Sequence, residues 1–343
     1  MNLTKVTLVA GVTMMALMGA MYYINSENSS DPVVIVKDAT PELAHRLKLF
    51  KEWMKKYNKS YGLSETPMRF AIWNQHYDFA VEHNAKGLSW TCGVNQFSDL
   101  TNEEFSAMYL GYKWNPNRKR NVKILDEIHH PKNIDWRTKG AVTGVKNQGQ
   151  CGDCWAFSAV GALEGLHFLK TGTLQSYSEQ QLNDCSDSYG NQGCNGGLMD
   201  DAFKYTKDNG VELESDYPYQ GQQGNCNYDS SKVQFKNTGY TDVTQNSPTQ
   251  LQAAVYKGPV SVAIEADQNA FQQYTGGVIS SGCGTNLDHG VLAVGYNGTS
   301  YWIVKNSWGS SWGDQGYVNI AMGTQNNGAG VCGINSDPSY PTA

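Results

Sequence analysis

The sequence predicts an α+β protein in which a helical lobe is followed by a lobe built from a sheet or barrel. The chain has 343 residues, of which 40% are hydrophobic and 17% charged. That composition allows a large packed core and excludes a disordered tail or a coiled coil. Helical patterning dominates from about Asp153 to Asn209, and β-type alternation dominates from about Ser261 to the end. Helices and strands segregated in this way along a chain are typical of α+β proteins.

The chain begins with an apolar segment. One lysine precedes a run from Val6 to Ile24 that contains no charged residue. This pattern predicts a secretory signal peptide over residues 1–24, cut after Ala20. About 19 apolar residues could also span a bilayer as an uncleaved anchor. Either alternative brings the rest of the chain into a compartment that permits disulfides, and Asn-x-Ser/Thr glycosylation motifs follow at Asn28, Asn58 and Asn297.

Two helices are predicted after this segment. Thr40-Pro41-Glu42 is a good helix start, because it combines a hydroxyl cap, an early proline and an acid near the positive helix end. Apolar residues then recur at steps of four and three, which gives the helix one apolar face: Leu43, Leu47, Phe50, Met54 and Tyr57. A second helix is expected from after Ser64 to about Asn84, with Glu65 and Arg69 paired four residues apart.

The helical pattern fails between Gly111 and Pro131. The basic run Arg118-Lys119-Arg120 in this stretch is predicted to be exposed and cleavable. The leading unit is therefore either a small helical domain or a propeptide joined to an enzyme by a linker. It is basic, whereas the chain from Pro131 onward is acidic. The net charge of −6 and the pI near 5.6 give no indication of a nucleic-acid partner.

Seven of the eight cysteines follow Pro131, so six can pair and one is left as a free thiol. Spacing alone leaves 15 pairings for any chosen six. Cys151-Gly-Asp-Cys154 permits three interpretations: half of a zinc site, a thioredoxin-like redox pair, or one structural cysteine beside one nucleophile. The zinc alternative lacks a second half-site with matching spacing.

A cysteine nucleophile needs a base, and only two histidines follow Pro131. His167 lies about 20 Å from Cys154 if both are in one helix, which excludes it as the base. His289 opens a β-rich run that ends at Asn297-Gly298, a strong two-residue hairpin signal. That turn would place His289 opposite Asn306, whose amide oxygen could orient the imidazole. The alternative is a coincidental pairing in a buried hairpin, and one bulge would change the register.

Five motifs occur together and in order: Asn133 to Arg137, Gln148 to Ser158, Gly193 to Gly197, Asp288-His289-Gly290, and Lys305 to Gly309. With them the chain resembles the papain-like cysteine peptidases, and within these the cathepsin L group, from about residue 43 to 343. The resemblance implies a papain-like two-lobed fold with a helical left lobe, a β-barrel-like right lobe and an active-site cleft between them. A small helical prodomain would precede this fold.

The resemblance also implies that the leading unit is an inhibitory propeptide. The segment Gly93 to Asp99 matches the family pattern, as do Glu65, Arg69, Trp73 and Asn84, whereas His76 and Ala80 depart from it and Cys92 has no family role. The implied boundaries are a propeptide at 25–129, with a helical core at about 43–105 and a linker at about 106–129. A peptidase domain follows at 130–343, and the mature enzyme is expected to begin near His130.

Carried over by position, Cys154 is the expected nucleophile and His289 its base and later acid. Asn306 would orient His289, Trp308 would shield that contact, and Gln148 would donate to the oxyanion beside the Cys154 N–H. The thiol pKa is expected to lie well below the about 8.5 of a free cysteine. The implied disulfides are Cys151–Cys194, Cys185–Cys226 and Cys283–Cys332. No cofactor and no metal are implied.

One departure lies beside the nucleophile, where Asp153 replaces the usual serine. Asp153 is expected to cap the helix and to face solvent. The resemblance implies a pocket for the second residue upstream of the cut that favours leucine- or phenylalanine-sized side chains. The implied substrate-binding residues are Gly196, Gly197, Leu198, Met199, Ala263, Leu287, Gly290, Trp308 and Asp337. Asp337 at the pocket floor implies that arginine is also accepted, the alternative being that its shorter side chain points to solvent.

The sequence thus predicts a monomeric endopeptidase zymogen that cuts proteins and peptides and is inhibited by its own propeptide. Cystatin-type inhibitors are further expected partners, and an acidic lysosome-, vacuole- or phagosome-like compartment, or secretion, is the expected destination. The alternative from another class is a papain-fold binding or regulatory homologue with weak or lost catalysis.

Overall fold

The protein is described from a computed structural model that covers residues 21–23, 34–36, 40–126 and 132–343. The expected signal-peptide cut, the Asn28 motif and the expected mature start near His130 lie outside these residues. The chain divides into two compact units. The first contains residues up to Glu82 together with Gly93–Thr101, and the second contains His83–Cys92 and Asn102–Ala343.

The first unit contains the two helices that the sequence predicts. Helix α1 is Pro41–Lys56, and the Thr40 hydroxyl accepts a hydrogen bond from the Leu43 N–H at 3.2 Å. Helix α2 is Thr66–Ala85, and Arg69 pairs with Glu65 at 2.9 Å just before it. Short strands β1 (Met21–Tyr23) and β2 (Val34–Val36) pair in antiparallel fashion.

An aromatic core joins α1 and α2. It consists of Leu47, Phe50, Trp53, Phe70 and Trp73, all nearly excluded from solvent. The sequence pattern found the first two of these residues and missed Trp53, because aromatic side chains are long enough to reach the core from the edge of a helix face. The segment after α2 is fixed to this unit at Asp99, whose carboxylate accepts from Lys59 at 2.9 Å and Tyr61 at 2.6 Å.

The helices of the second unit come mostly before its strands. They are α3 (Asn102–Tyr109), α4 (Cys154–Thr171), α5 (Glu179–Cys185), α6 (Met199–Asn209), α7 (Pro248–Lys257) and α8 (Asn269–Gln272). Helix α4 is buried over most of its length and packs on strand β8, where the Ser158 hydroxyl donates to the Val291 carbonyl at 2.7 Å. Among the described residues, no helix has the length and apolar character needed to cross a membrane.

In the part of the chain that the structure describes, nine further strands form one mixed sheet with the order β3-β7-β10-β9-β8-β6-β11-β5, and β4 adds to β8. They are β3 (Trp90–Cys92), β4 (Asn133–Asp135), β5 (Gly239–Asp242), β6 (Val260–Ile264), β7 (Tyr274–Ile279), β8 (His289–Asn297), β9 (Tyr301–Lys305), β10 (Tyr317–Ala321) and β11 (Ser339–Thr342). The α+β class is confirmed. The sheet is open rather than closed into a barrel, because β3 and β5 form its two edges.

The predicted register of the β8–β9 hairpin is wrong. Asn297 pairs with Tyr301, so the loop contains the three residues 298–300 instead of a two-residue turn. A bulge at Val294, between Ala293 and Gly295, then changes the offset from the predicted register from three residues to two. As a result the last paired residues are Leu292 and Lys305, and His289 lies beyond the paired part of the hairpin.

Three disulfides stabilise the second unit, and they are the pairs that the resemblance implied: Cys151–Cys194, Cys185–Cys226 and Cys283–Cys332. Cys92 and Cys154 are free and buried. Since Cys151 is bonded to Cys194, a redox pair between Cys151 and Cys154 is not formed.

Candidate active site

Cys154 is the first residue of α4, so its side chain lies at the positive end of the helix. The Gly290 N–H at the start of β8 donates to its sulfur at 3.3 Å. Gly290 directly follows His289, and this contact therefore brings the first turn of α4 against the candidate base. The cysteine side chain is completely buried.

His289 is held by two other segments of the chain. Its Nε2 lies 2.8 Å from the Asn306 amide oxygen, and the ring stacks on Trp308 with the centroids 4.6 Å apart. The imidazole Nδ1 is buried and makes no hydrogen bond. The contact between His289 and Asn306 forms although the two residues are not directly opposite in the hairpin, because Asn306 follows β9 and reaches back to the ring.

Gln148 supplies a buried side-chain amide near the start of α4. The Ser307 hydroxyl donates to its Oε1 at 2.7 Å, which leaves Nε2 as a donor. Nε2 donates to the Cys151 carbonyl at 2.8 Å and to the Tyr109 carbonyl at 2.9 Å. The amide that is the expected oxyanion donor is therefore already bound to a carbonyl oxygen of residue 109.

Residues 109–113 pass directly over these groups. The Gly197 N–H donates to the Gly111 carbonyl at 2.9 Å, and the Lys113 N–H donates to the Gly197 carbonyl at 3.0 Å. Tyr112 and Gly197 form a parallel bridge, and the Tyr112 N–H donates to the Asp288 carbonyl at 2.9 Å. The chain thus fills its own candidate cleft with an extended segment bonded through its backbone.

This cover changes the ionisation of the candidate dyad. Burial raises the pKa of the Cys154 thiol to about 12, against weaker lowering by hydrogen bonds from Gly290 and Gly111. Burial also lowers the pKa of His289 to about 4. The low thiol pKa expected from the sequence is therefore not a property of the covered site, in which both groups are neutral between pH 5 and 8.

Comparison with known proteins agrees with this geometry. Residues 130–342 match the model of the papain family cysteine proteases, and residues 50–105 match the cathepsin propeptide inhibitor domain. The chain belongs to the papain family of cysteine proteases. It also carries the propeptide domain that the sequence predicts.

Individual relatives extend over both parts of the chain. The cysteine proteinase RD21A of Arabidopsis thaliana is 45% identical over 87% of this chain, which spans 67% of that protein. Procathepsin L of Mus musculus is 44% identical over 84% of this chain and 90% of its own length. A solved structure, digestive procathepsin L 3 of Tenebrio molitor larval midgut, has a TM-score of 0.78 and 40% identity over 87% of this chain and 99% of that one.

The residues expected to line the specificity pocket of this papain-family protein lie together. Met199, Ala263 and Leu287 belong to one packed cluster, with Leu198 at its margin. Tyr112 of the extended segment 109–113 is buried in the same cluster, and its hydroxyl donates to Asp337. Asp337 is almost fully buried, so it does not point to solvent. A Cβ on Gly290 would lie 3.2 Å from the Met199 sulfur, whereas a Cβ on Gly196 would lie 2.4 Å from the Gly111 carbonyl oxygen.

Two residues of the basic run 118–120 also reach Asp337, which corrects the prediction that this run is exposed. The guanidinium of Arg118 donates to Asp337 at 2.6 Å and to Asp242 at 2.8 Å, and it also pairs with Asp200. Arg120 pairs with Asp337 as well. Asp200 and Asp242 were not predicted, although an acidic body beside a basic leader was the available signal. Only Lys119 of the run is exposed.

The expected orientation of Asp153 is wrong. Its side chain is fully buried and makes no capping hydrogen bond to α4. It is bound instead by Asn183 from α5 and by Tyr219. These partners are 30 and 66 residues away in sequence, so local helix-start rules could not find them.

No group of three or more His, Cys, Asp or Glu side chains within the described ranges is arranged to hold a metal ion.

Proposed function

We propose that the chain is the zymogen of an endopeptidase in which Cys154 is the nucleophile and His289 the general base and acid. The observation that carries this proposal is the arrangement of three segments. The Cys154 sulfur accepts from the Gly290 N–H at 3.3 Å, and His289 Nε2 lies 2.8 Å from Asn306. That contact leaves the other imidazole nitrogen, Nδ1, free to exchange a proton with the thiol.

The proposed reaction has two stages. The thiolate of Cys154 attacks the carbonyl carbon of the peptide bond, and the resulting oxyanion accepts from the Gln148 amide and the Cys154 N–H. Imidazolium His289 then donates its proton to the amine, which leaves as the C–N bond breaks and the thioester forms. In the second stage His289 removes a proton from water, which hydrolyses the thioester. Asn306 keeps the ring oriented throughout, and Trp308 covers that contact.

Activity requires that residues 109–113 leave the cleft. The Gln148 amide donates to the Tyr109 carbonyl instead of to a substrate, and Tyr112 fills the pocket. We therefore assign inhibition in cis to residues 25–129, including the linker at about 106–129, and the peptidase domain to 130–343. A monomeric enzyme that is secreted or works in an acidic, lysosome-like compartment, and that cystatin-type inhibitors could block, fits this arrangement.

For specificity we propose a pocket that accepts a leucine- or phenylalanine-sized residue and also arginine, two positions upstream of the cut. The apolar walls formed by Met199, Ala263 and Leu287 favour the first class. The contacts of Arg118 and Arg120 with Asp337 favour the second, because they show this carboxylate binding guanidinium groups.

The test compares wild type with Cys154→Ala after acidification to about pH 5, using a leucine-arginine fluorogenic peptide. We expect wild type to be active and the variant to be inactive. A matched pair, His289→Gln and His167→Gln, separates the two histidines of the peptidase domain, and only the first should abolish activity. A fully processed but inactive wild type would contradict the proposal and favour a papain-fold binding homologue.

A further inference from the structure

The Asp153 carboxyl group immediately precedes the proposed nucleophile and is linked to Gln148. The Asn183 amide donates to its Oδ2 at 2.6 Å. The Tyr219 hydroxyl lies 2.9 Å from both carboxyl oxygens and 2.8 Å from the Gln148 backbone carbonyl. A continuous path of hydrogen bonds therefore joins Asp153 to the backbone of the proposed oxyanion residue.

The path has a fixed number of protons. The phenol of Tyr219 has one proton to donate, the Gln148 carbonyl can only accept, and an ionised carboxylate can only accept. If Asp153 is ionised, Tyr219 can satisfy either the carboxylate or Gln148. If Asp153 is protonated, its O–H donates to Tyr219, Tyr219 donates to Gln148, and Asn183 donates to the other carboxyl oxygen. Only the protonated form lets Tyr219 donate to Gln148 while Asp153 and Tyr219 stay hydrogen-bonded to each other.

The charged groups around this path also favour the protonated form. Burial raises the pKa of Asp153 to about 7, against lowering by the hydrogen bonds from Asn183 and Tyr219, and the carboxylate of Asp184 adds a smaller increase. On the Tyr219 side, the nearby charges are Glu179 and Glu214. The neighbouring cation, Lys146, is engaged by Glu179 at 2.7 Å and by Glu164 at 3.1 Å. The ion pairs formed by the described residues include none to Asp153.

We propose that Asp153 is a positioning residue that acts through Tyr219 on Gln148, and that it does so only while it carries a proton. In acid, the relay holds the backbone of Gln148 in place. Above neutral pH, Asp153 is ionised and the Tyr219 hydroxyl donates to its carboxylate. The Gln148 carbonyl then loses its donor. A negative charge then lies next to the Cys154 N–H, where the oxyanion develops. Both changes slow acylation, so Asp153 makes the enzyme selective for acidic conditions.

The first test is the pH dependence of activity in Asp153→Asn. The variant is made as the full chain and converted by acid, that is, its proposed propeptide is removed. The concentration of active enzyme is then titrated with a covalent thiol inhibitor. The amide can donate to Tyr219 and cannot ionise. We expect the ratio of kcat/KM at pH 8 to that at pH 5 to rise about three- to tenfold over wild type. Asp153→Ser is a second variant without an ionisable group and should shift the ratio in the same direction. Ratios equal to that of wild type in both variants would overturn the proposal.

The second test removes the relay itself. Tyr219→Phe should lower kcat at pH 5 and leave KM nearly unchanged, because it removes the donor to Gln148 without touching the specificity pocket. Tyr217→Phe is the matched control, since its hydroxyl binds Asp184 at 2.9 Å and not Gln148. Wild-type kcat in Tyr219→Phe at pH 5 would overturn the proposal.

This inference rests on the proposed role of Gln148, but the two can fail separately. An active wild type with an inactive Cys154→Ala variant supports the peptidase whatever the pH profile of Asp153→Asn.

Discussion

Asp337 is a buried carboxylate that accepts hydrogen bonds from two kinds of donor. It accepts from the Tyr112 hydroxyl and from the guanidinium groups of Arg118 and Arg120. Under the proposed boundary at residue 129, these donors leave with the propeptide, and a buried carboxylate without a partner is costly. An incoming arginine side chain would restore a charge-assisted contact, whereas a leucine side chain would use only the apolar walls.

We therefore predict that Asp337→Ala lowers kcat/KM about tenfold or more for substrates with arginine two positions upstream of the cut. The matching leucine substrates should change much less, because their contacts are with Met199, Ala263 and Leu287. Steady-state kinetics on two peptides that differ only at this position provide the measurement. Equal losses on both peptides would show that Asp337 has a structural role only.

For individual residues of the site, the sequence was informative wherever the chemistry allows few residue types. The odd number of cysteines indicated one free thiol, and the hairpin pattern indicated His289 with Asn306. The family motifs then implied that Cys154 is the nucleophile and added Gln148. Asp153 was misjudged because its environment is built by Asn183 and Tyr219, which only the tertiary fold brings to it. Helix-start rules describe neighbours in sequence, and tertiary burial overrides them here.

At the scale of elements, the extended segment 109–113 can lie in the cleft only because its backbone approaches Gly152 closely at a position where glycine stands. A Cβ added to Gly111 would lie 1.7 Å from the backbone oxygen of Gly152. Gly152 cannot easily move, because it lies between Cys151, which is bonded to Cys194, and the start of α4. Any side chain at residue 111 therefore weakens the seating of the extended segment in the cleft.

Gly111→Ala is predicted to make the unconverted chain active at pH 7. Overpacking costs about 1–3 kcal/mol, so the open fraction should rise by a factor of about 5 to 150. The matched control is Gly62→Ala in the same propeptide, where an added Cβ meets no atom within 4 Å. Peptide hydrolysis is measured before any acidification. Unchanged latency in Gly111→Ala would contradict the prediction.

The elements also show where pattern reasoning stops. Helices α1 and α2 were predicted nearly to the residue, because caps and apolar periodicity are local signals. The β8–β9 hairpin was predicted in the right place but with the wrong register. The Asn-Gly pair suggested a two-residue turn, and neither the three-residue loop nor the bulge at Val294 has a clear sequence signal.

For the whole molecule, the α+β class followed from the order of helical and β patterns, and the resemblance supplied the papain-like architecture. The seating of residues 109–113 over Cys154 could not be predicted from patterning, since that segment has no periodicity of its own. It depends on backbone hydrogen bonds to Gly197 and Asp288, and such bonds leave little trace in the pattern of side chains.

The same cover should control the reactivity of the thiol across the pH range. In the covered site the Cys154 pKa is raised to about 12 by burial and the His289 pKa is lowered to about 4. At pH 7 a thiol with that pKa is ionised in about one molecule in 10⁵. Its reaction with iodoacetamide should therefore be slow and should rise about tenfold per pH unit from pH 6 to 9.

When the proposed propeptide is removed, we expect Cys154 to become less buried and a thiolate–imidazolium pair at the α4 N-terminus to become the favoured form. At pH 6 the alkylation rate of the converted enzyme should then be at least about 100-fold higher than that of the unconverted chain. It should also change little from pH 5 to 8. Stopped-time alkylation read by mass spectrometry gives both profiles, and Cys154→Ala measures the contribution of the buried Cys92. A flat, fast profile in the unconverted full chain would mean that the cover does not suppress ionisation, and latency would then have to come from blocked substrate access alone.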